Sequence, residues 1–167
     1  CDLPLAARRF ARTKSPQPKV HSFMTTALFP IKFENAYRAE DSSNEELSPP
    51  SGLCFTHDGN LLLSDDFNHR VQIYDSQFNL LNSFGGKGKE PGQFQYPKGI
   101  AVDPEGNIYV ADSWNHRIQK FDAKGTPLLT FGACGDGKGE LNEPYDILVE
   151  PSGNLVVAER YNHRIQF

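Results

Sequence analysis

Short runs of alternating apolar and polar residues, separated by turn-forming residues, fill the chain from residue 50 onward. The pattern is clearest where runs rich in β-branched and aromatic residues occur at 99–102, 108–111, 117–121 and 128–131. Between the first two runs, Pro104 presets a turn conformation and Gly106 can adopt the positive φ that a tight hairpin needs. The pattern therefore predicts four antiparallel β-strands joined by short turns.

The whole pattern recurs without a gap every 47 residues. The tripeptide Asn-His-Arg marks this period at 68–70, 115–117 and 162–164. Other identical residues keep the same spacing, namely Pro50, Pro97 and Pro144, and Gln72, Gln119 and Gln166. A four-stranded unit with a period in the forties is typical of a propeller blade, which buries its faces only by stacking on its neighbours.

We therefore predict an all-β fold, a β-propeller of four-stranded antiparallel blades. Residues 31–167 form the partial propeller, in which 31–49 supply the last strand of a preceding blade and a crossover, and 50–96, 97–143 and 144–167 are the repeats. About three blades are present, whereas a closed ring takes roughly 4 to 8. We expect half of a six-bladed ring, either as a fragment of a longer chain or as a half-propeller that self-associates.

Residues 1–30 follow a different pattern. Basic residues surround the Ser-Pro-Gln-Pro segment at 15–18, and no strand alternation is visible. This composition predicts a basic, flexible linker.

Charge and cysteine content narrow the function classes. The net charge is −4, and residues 50–167 hold 10 basic against 15 acidic residues, which argues against a uniformly basic nucleic-acid surface. The three cysteines are spaced unlike a metal site or a disulfide framework, so we expect a reducing, cytoplasmic setting. No apolar run approaches the roughly 18 residues needed to cross a bilayer. We predict no membrane association, no metal and no cofactor.

Two segments, one in the middle repeat and one leading into it, resemble the NHL repeat, and the resemblance recurs in all three repeats over residues 50–167. One is Val-Ala-Asp-x-x-Asn-His-Arg-Ile-Gln at 110–119, preceded by Gly-Ile-Ala-Val-Asp at 99–103; the other is the glycine-rich crossover at 85–99. The chain is most similar to the propeller of TRIM-NHL proteins. In those proteins a RING domain supplies ubiquitin-ligase activity, and the propeller recognises protein substrates or single-stranded RNA motifs in messages to be repressed. No RING or B-box spacing of cysteine and histidine is present here, so the resemblance implies only the recognition end.

The repeated Asn-His-Arg has three interpretations. The histidines could converge on a metal, but equal positions in successive blades are spread around a ring and not brought to one ion. Ser64, Asp65 and His69 could form a catalytic triad, but nothing near them resembles a nucleophile elbow or an oxyanion donor. The third interpretation is structural: asparagine caps the loop and arginine pairs with a carboxylate such as Asp65, Asp112 or Glu159. We favour the third and predict no catalytic site in this chain.

Aromatic residues stand one position before each Asn-His-Arg, as Phe67, Trp114 and Tyr161. Strand order places these loops on the same face as the blade crossovers, together with the basic residues Lys87, Lys98, Lys138 and Arg160. The tight hairpins lie on the other face and carry six acidic residues against Lys124. The aromatic residues either pack against the rim of the adjacent blade or form platforms that stack bases or hold peptide side chains.

The sequence leaves three functions open. The first is recognition of a partner protein through the aromatic, lysine-bearing face, as the substrate-recognition end of a TRIM-NHL-like ubiquitin ligase. The second is single-stranded RNA recognition and mRNA repression on the same face. The third is an extracellular lyase or sensor propeller.

The third repeat departs from the pattern at one position. Asp146 stands where the other repeats have Gly52 and Gly99. A carboxylate where the backbones of two blades approach closely predicts either a distorted blade or a distinct contact near the axis.

Overall fold

A computed structural model describes residues 47–167. The predicted linker at 1–30 and the predicted strand and crossover up to residue 46 lie outside these residues. The described segment contains eleven strands and two short 3-10 helices. The strands are β1 Pro50–Phe55, β2 Leu61–Asp65, β3 Arg70–Tyr74, β4 Leu80–Gly85, β5 Pro97–Val102, β6 Ile108–Asp112, β7 Arg117–Phe121, β8 Pro127–Phe131, β9 Pro144–Val149, β10 Leu155–Glu159 and β11 Arg164–Gln166.

The strands form three antiparallel sheets in chain order, which confirms the predicted all-β propeller architecture. Blade 1 is β1-β2-β3-β4, blade 2 is β5-β6-β7-β8, and blade 3 is β9-β10-β11. Within the described residues the three sheets do not close into a ring. The four strands predicted for the middle repeat are all present and differ from the prediction by at most two residues at any end.

Strand register fixes which loops share a face. In blade 1, Pro50 pairs with Asp65, Asp65 with Arg70, and Arg70 with Gly85, so all four lie along one edge of the sheet. The loop between the second and third strands and the crossover to the next blade leave from this edge. Both hairpins turn at the opposite edge. We call the first side the crossover face and the second the hairpin face.

The hydrophobic core lies between neighbouring blades, as stacking of repeats requires. One cluster joins blades 1 and 2 and contains Leu62, Val71, Ile73, Phe94, Ile100, Ile108, Val110 and Phe121. Another joins blades 2 and 3 and contains Ala101, Tyr109, Ala111, Ile118, Leu141, Ile147 and Val157. Burying each large side chain contributes about 1.5 to 3 kcal/mol. Most of this gain is lost when a blade is separated from its neighbour.

The innermost strands approach so closely that two positions require glycine. A Cβ on Gly52 would lie 2.3 Å from the carbonyl oxygen of Lys98, and one on Gly99 would lie 2.6 Å from Cα of Asp146. At these distances a Cβ would clash with backbone atoms of the next blade, and those atoms cannot move without shifting a strand. These two glycines therefore set the spacing between the inner strands of neighbouring blades.

Asp146 does not distort blade 3. It pairs with Ala158 just as Gly52 pairs with Ser64 in blade 1, with the same irregularity two residues earlier. Its carboxylate oxygen Oδ1 accepts a hydrogen bond from the backbone N–H of Ile147 at 2.9 Å. Of the two outcomes expected from the sequence, the distorted blade is wrong.

Candidate functional site: an aromatic groove on the crossover face

The Asn-His-Arg segments close the loops that carry the candidate aromatic residues. A 3-10 helix follows the second strand in two blades, namely Asp66–Asn68 in blade 1 and Ser113–Asn115 in blade 2. The next residue is a histidine in the left-handed conformation, with φ of 56° at His69 and 54° at His116. Its backbone N–H donates to the carbonyl oxygen of the first helical residue, and its left-handed conformation ends the helix.

Arginine in these segments pairs with a buried carboxylate, as the structural interpretation predicts. Arg117 Nε donates to Asp112 at 2.6 Å, and the equivalent pairs are Arg70 with Asp65 and Arg164 with Glu159. Asn115 donates to the same carboxylate of Asp112 at 2.9 Å. A buried carboxylate needs such partners because an isolated charge inside a protein is strongly destabilising.

The same arginine also holds the crossover, which the sequence did not reveal. The remaining guanidinium nitrogens of Arg117 donate to the carbonyl oxygens of Lys89, Glu90 and Gln93. Arg164 repeats this arrangement in blade 3 with Asp136, Gly137 and Glu140. The planar, five-donor guanidinium is the side chain suited to this task. Each crossover is thereby fixed to the blade that follows it.

A groove of about 350 Å³ opens on the crossover face between these loops. Its lining consists of Phe67, Tyr96, Lys98, Ser113, Trp114, Glu143, Tyr145 and Arg160. We call it the aromatic groove. All three blades contribute to it, and four of the predicted site residues line it: Phe67, Trp114, Lys98 and Arg160.

Tyr96 is the central ring of the groove wall and was missed by the sequence analysis. Its ring centroid lies 5.6 Å from that of Phe67 and 4.4 Å from that of Trp114. Tyr96 has a φ of 52°, a left-handed conformation that is uncommon for a bulky residue. The sequence gives no signal for this conformation, since glycine or asparagine is the usual residue there.

The aromatic rings of the groove remain accessible. Phe67 is 59% exposed, Trp114 54% and Tyr145 51%, although each is held by neighbours. Trp114 is also fixed through its backbone N–H, which donates to the carbonyl oxygen of Gln95 at 3.1 Å. Each of these rings therefore presents about half of its surface to solvent.

The charged residues of the groove are paired with one another. Lys98 Nζ donates to the buried carboxylate of Asp66 and, at 3.2 Å, to the hydroxyl of Ser51, so it links blades 1 and 2. Arg160 lies 3.5 Å from Glu143 and is 60% exposed. The groove therefore holds two cations, each beside its own carboxylate.

The remaining predicted site residues lie outside the groove. The guanidinium carbon of Arg160 lies 5.1 Å from the ring centroid of Tyr161. Tyr161 is therefore next to the groove but does not line it. Lys138 lines a separate cavity of about 190 Å³ between blades 2 and 3. Lys87 is exposed on the crossover after blade 1. The structure thus brings four of the seven residues together.

Acidic residues of the hairpin face have a structural task. Asp75 accepts hydrogen bonds from the backbone N–H groups of Gln77 and Asn79, and Asp122 does the same for Lys124 and Thr126. Hydrogen bonds from Asn79 lower the pKa of Asp75. The acidity of this face therefore follows from turn formation, in which aspartate is favoured.

Within residues 47–167, no group of three or more His, Cys, Asp or Glu side chains is arranged to hold a metal ion. No helix in the same part of the chain is long and apolar enough to cross a membrane.

A comparison with protein families matches the NHL repeat at residues 94–121. This segment runs from the end of the first crossover through the third strand of blade 2, and it includes Tyr96, Trp114 and Arg117. No curated protein matches the sequence at a significant level.

The chain is similar in fold to solved β-propellers. One is a structural genomics protein of unknown function from Bacteroides thetaiotaomicron, with a TM-score of 0.60, 23% identity, and coverage of 72% of this chain and 35% of that one. Another is a catalytically inactive virginiamycin B lyase from Staphylococcus aureus with quinupristin, with a TM-score of 0.57, 18% identity, and coverage of 74% and 38%. A luciferin-regenerating enzyme has a TM-score of 0.51, 21% identity, and coverage of 71% and 40%. The chain spans somewhat over a third of the length of these structures and shares their fold.

Proposed function

We propose that these blades form a binding module that recognises a segment of a partner protein in the aromatic groove, as the substrate-recognition end of a TRIM-NHL-like ubiquitin ligase. The observation that carries the proposal is the set of exposed rings held in fixed positions on one face. Aromatic side chains held in place beforehand contribute much of the energy of protein interfaces because little conformational freedom is lost on binding.

The paired charges support a protein segment over a nucleic-acid backbone. Lys98 is already neutralised by Asp66, and Arg160 has Glu143 beside it. A groove with no net charge attracts a polyanion only weakly. Binding of an apolar or aromatic peptide side chain does not depend on the charge of the groove.

Single-stranded RNA is the second candidate. The observation that favours it is Arg160, which is 60% exposed and stacks on Tyr161 in the manner of a base-binding platform. Each base stacked on an exposed ring would contribute about 1 to 3 kcal/mol. An extracellular lyase or sensor has no comparable support among the described residues.

Parallel selection tests the proposal. A random peptide library displayed on phage and a random pool of single-stranded RNA are each selected against the wild-type protein and against the Phe67→Ala, Trp114→Ala double variant. Leu129→Ala serves as the matched control, because Leu129 is 57% exposed on the outer strand β8. We expect peptides to be enriched on wild type and on Leu129→Ala but not on the double variant.

Two outcomes would contradict the proposal. Enrichment of RNA alone would move the function to the second candidate. Peptides that bind the double variant as well as the wild type would show that the groove is not the binding surface.

We also propose that the protein is located in the cytoplasm. Cys54 and Cys134 are both free thiols, which suits the cytoplasm.

Large apolar side chains are exposed on both terminal blades, among them Leu53 and Phe55 on blade 1 and Leu148 and Ile165 on blade 3. Such surfaces suit contact with further blades, and self-association of this chain would appear as a dimer in sedimentation.

A further inference from the structure

In the first two Asn-His-Arg segments, the histidine contacts the crossover that leaves its own blade. His69 Nδ1 accepts a hydrogen bond from the backbone N–H of Tyr96 at 3.1 Å, and His116 Nδ1 accepts one from Glu143 at 3.2 Å. The separation is 27 residues in both cases. This contact is therefore part of the repeat and not an accident of one loop.

At His69, the residue that is held belongs to the wall of the aromatic groove. The imidazole and the Tyr96 ring lie 4.7 Å apart between centroids, nearly at a right angle. Tyr96 in turn packs against Trp114 and Phe67. His69 itself is only 7% exposed, so it stands behind the wall and not on the surface that a partner would touch.

We infer that His69 is the positioning residue of the aromatic groove and that protonation of its imidazole releases Tyr96 and loosens the wall formed by Phe67, Tyr96 and Trp114. The significance of this for binding rests on the function proposed above. The contact itself exists without a partner and can be tested without one.

The chemistry follows from the two ring nitrogens. Because Nδ1 accepts from Tyr96, the neutral imidazole carries its proton on Nε2. When a proton from solvent is added to Nδ1, both nitrogens become donors, and Nδ1–H then faces the N–H of Tyr96. The acceptor is lost, and the partly buried backbone N–H of Tyr96 is left without its partner.

Burial, together with the nearby charge of Lys87 on the crossover, lowers the pKa of His69, while Asp66 on its own loop and Asp112 on β6 act in the opposite direction. A histidine whose pKa is lower in the folded state binds fewer protons there than in the unfolded chain. Its contribution to stability is therefore complete above the unfolded value of about 6.5 and is lost as pH falls through the folded pKa. The contact should fail in mildly acidic solution, at a pH below about 6.5.

Tryptophan fluorescence provides the test, because Trp114 is the single tryptophan of the chain. Emission is followed from pH 8 to pH 5 while circular dichroism follows the fold. We expect a sigmoidal change in emission with a midpoint below about 6.5 and an unchanged circular dichroism spectrum.

The His69→Asn variant separates positioning from titration. The asparagine side-chain oxygen can accept from Tyr96, asparagine tolerates a positive φ, and its amide does not titrate. Both proteins carry His116→Asn, because His116 lies two residues from Trp114 and bonds the next crossover in the same way as His69. In this background we expect the emission of His69→Asn to match that of its parent at pH 8 and to stay flat down to pH 5. His57→Asn and His163→Asn, which leave the His69 contact intact, should keep the wild-type transition.

Three results would overturn the inference. They are a flat curve for the parent that carries His116→Asn alone, a transition that survives when His69→Asn is added to it, and a transition that coincides with loss of the circular dichroism signal. If His69→Asn does not fold, NMR titration of the wild-type His69 imidazole decides: a pKa above about 6.5, or no change at the Tyr96 amide during titration, contradicts the inference. None of these readouts depends on a ligand, so failure here is distinguishable from failure of the proposed function.

Discussion

Arg117 shows how one side chain serves both the blade and the crossover. It neutralises the buried carboxylate of Asp112 and donates to three carbonyl oxygens of the preceding crossover. The pairing with a carboxylate could be predicted from the recurrence of the arginine of Asn-His-Arg five residues after an acidic residue. The contacts with carbonyl oxygens could not be predicted, because every residue has a backbone carbonyl and the residue type does not show which ones accept.

Replacing Arg117 should be among the most destabilising single changes in the described blades. Arg117→Ala leaves the carboxylate of Asp112 buried without its charged partner, which costs about 3 to 5 kcal/mol. Urea denaturation followed by circular dichroism measures the loss. Arg160→Ala is the control, because this arginine is 60% exposed and its removal should cost less than about 1 kcal/mol. Equal losses for the two variants would contradict the role given to Arg117.

The position of Tyr96 in the groove wall could not be predicted from the sequence around it. The aromatic residues before Asn-His-Arg could be found because the repeat sets their register. Tyr96 occupies a left-handed position for which tyrosine has no preference, and it is held there by His69 and by its packing between two rings. Tertiary contacts decide its conformation, so it could not be identified as a groove residue from local sequence.

Among the strands, the inner one of each blade carries the closest packing. Alternation and turn residues were enough to predict where the strands lie, and proline and glycine located the hairpins. The approach of neighbouring inner strands at Gly52 and Gly99 depends on the stacking of blades and could be expected only from the resemblance to known propellers.

Gly99→Ala should destabilise the contact between blades 2 and 3. The new Cβ would lie 2.6 Å from Cα of Asp146, and the resulting shift of backbone costs about 1 to 3 kcal/mol. Gly106→Ala provides the comparison: a Cβ there meets nothing within 4 Å, but φ is +86°, so only conformational strain of about 1 to 2 kcal/mol applies. Thermal denaturation at several urea concentrations compares the two. Gly99→Ala should weaken the packing around Ile147 and Tyr109, and unchanged amide exchange at these residues would contradict the role given to Gly99.

The crossover face and the hairpin face differ in what they can bind. The acidic residues of the hairpin face are largely occupied as turn acceptors, whereas the crossover face presents exposed rings with paired charges. The sequence predicted this division from strand order, and the register confirms it. It also suggested a lysine-bearing binding face, but Lys98 is engaged by Asp66 and Lys138 lies in a different cavity.

Salt dependence should therefore be weak for a ligand of the aromatic groove. Raising salt from about 50 to 200 mM should change the dissociation constant of a selected peptide less than about threefold, since few counterions are released. Calorimetry at the two salt concentrations provides the measurement. A loss of affinity of tenfold or more would indicate that the ligand is held mainly by the exposed basic residues, such as Lys87 and Arg160.

The most direct test of the account is the affinity of one selected peptide for the wild type, Trp114→Ala and Leu129→Ala, measured by calorimetry at neutral pH. Trp114 is a large exposed ring of the groove wall, so its removal should cost at least about 2 kcal/mol, a loss of roughly 30-fold in affinity. Leu129→Ala should bind within about twofold of the wild type. Equal affinity of Trp114→Ala and wild type, with both variants folded, would contradict the claim that the aromatic groove is the binding surface.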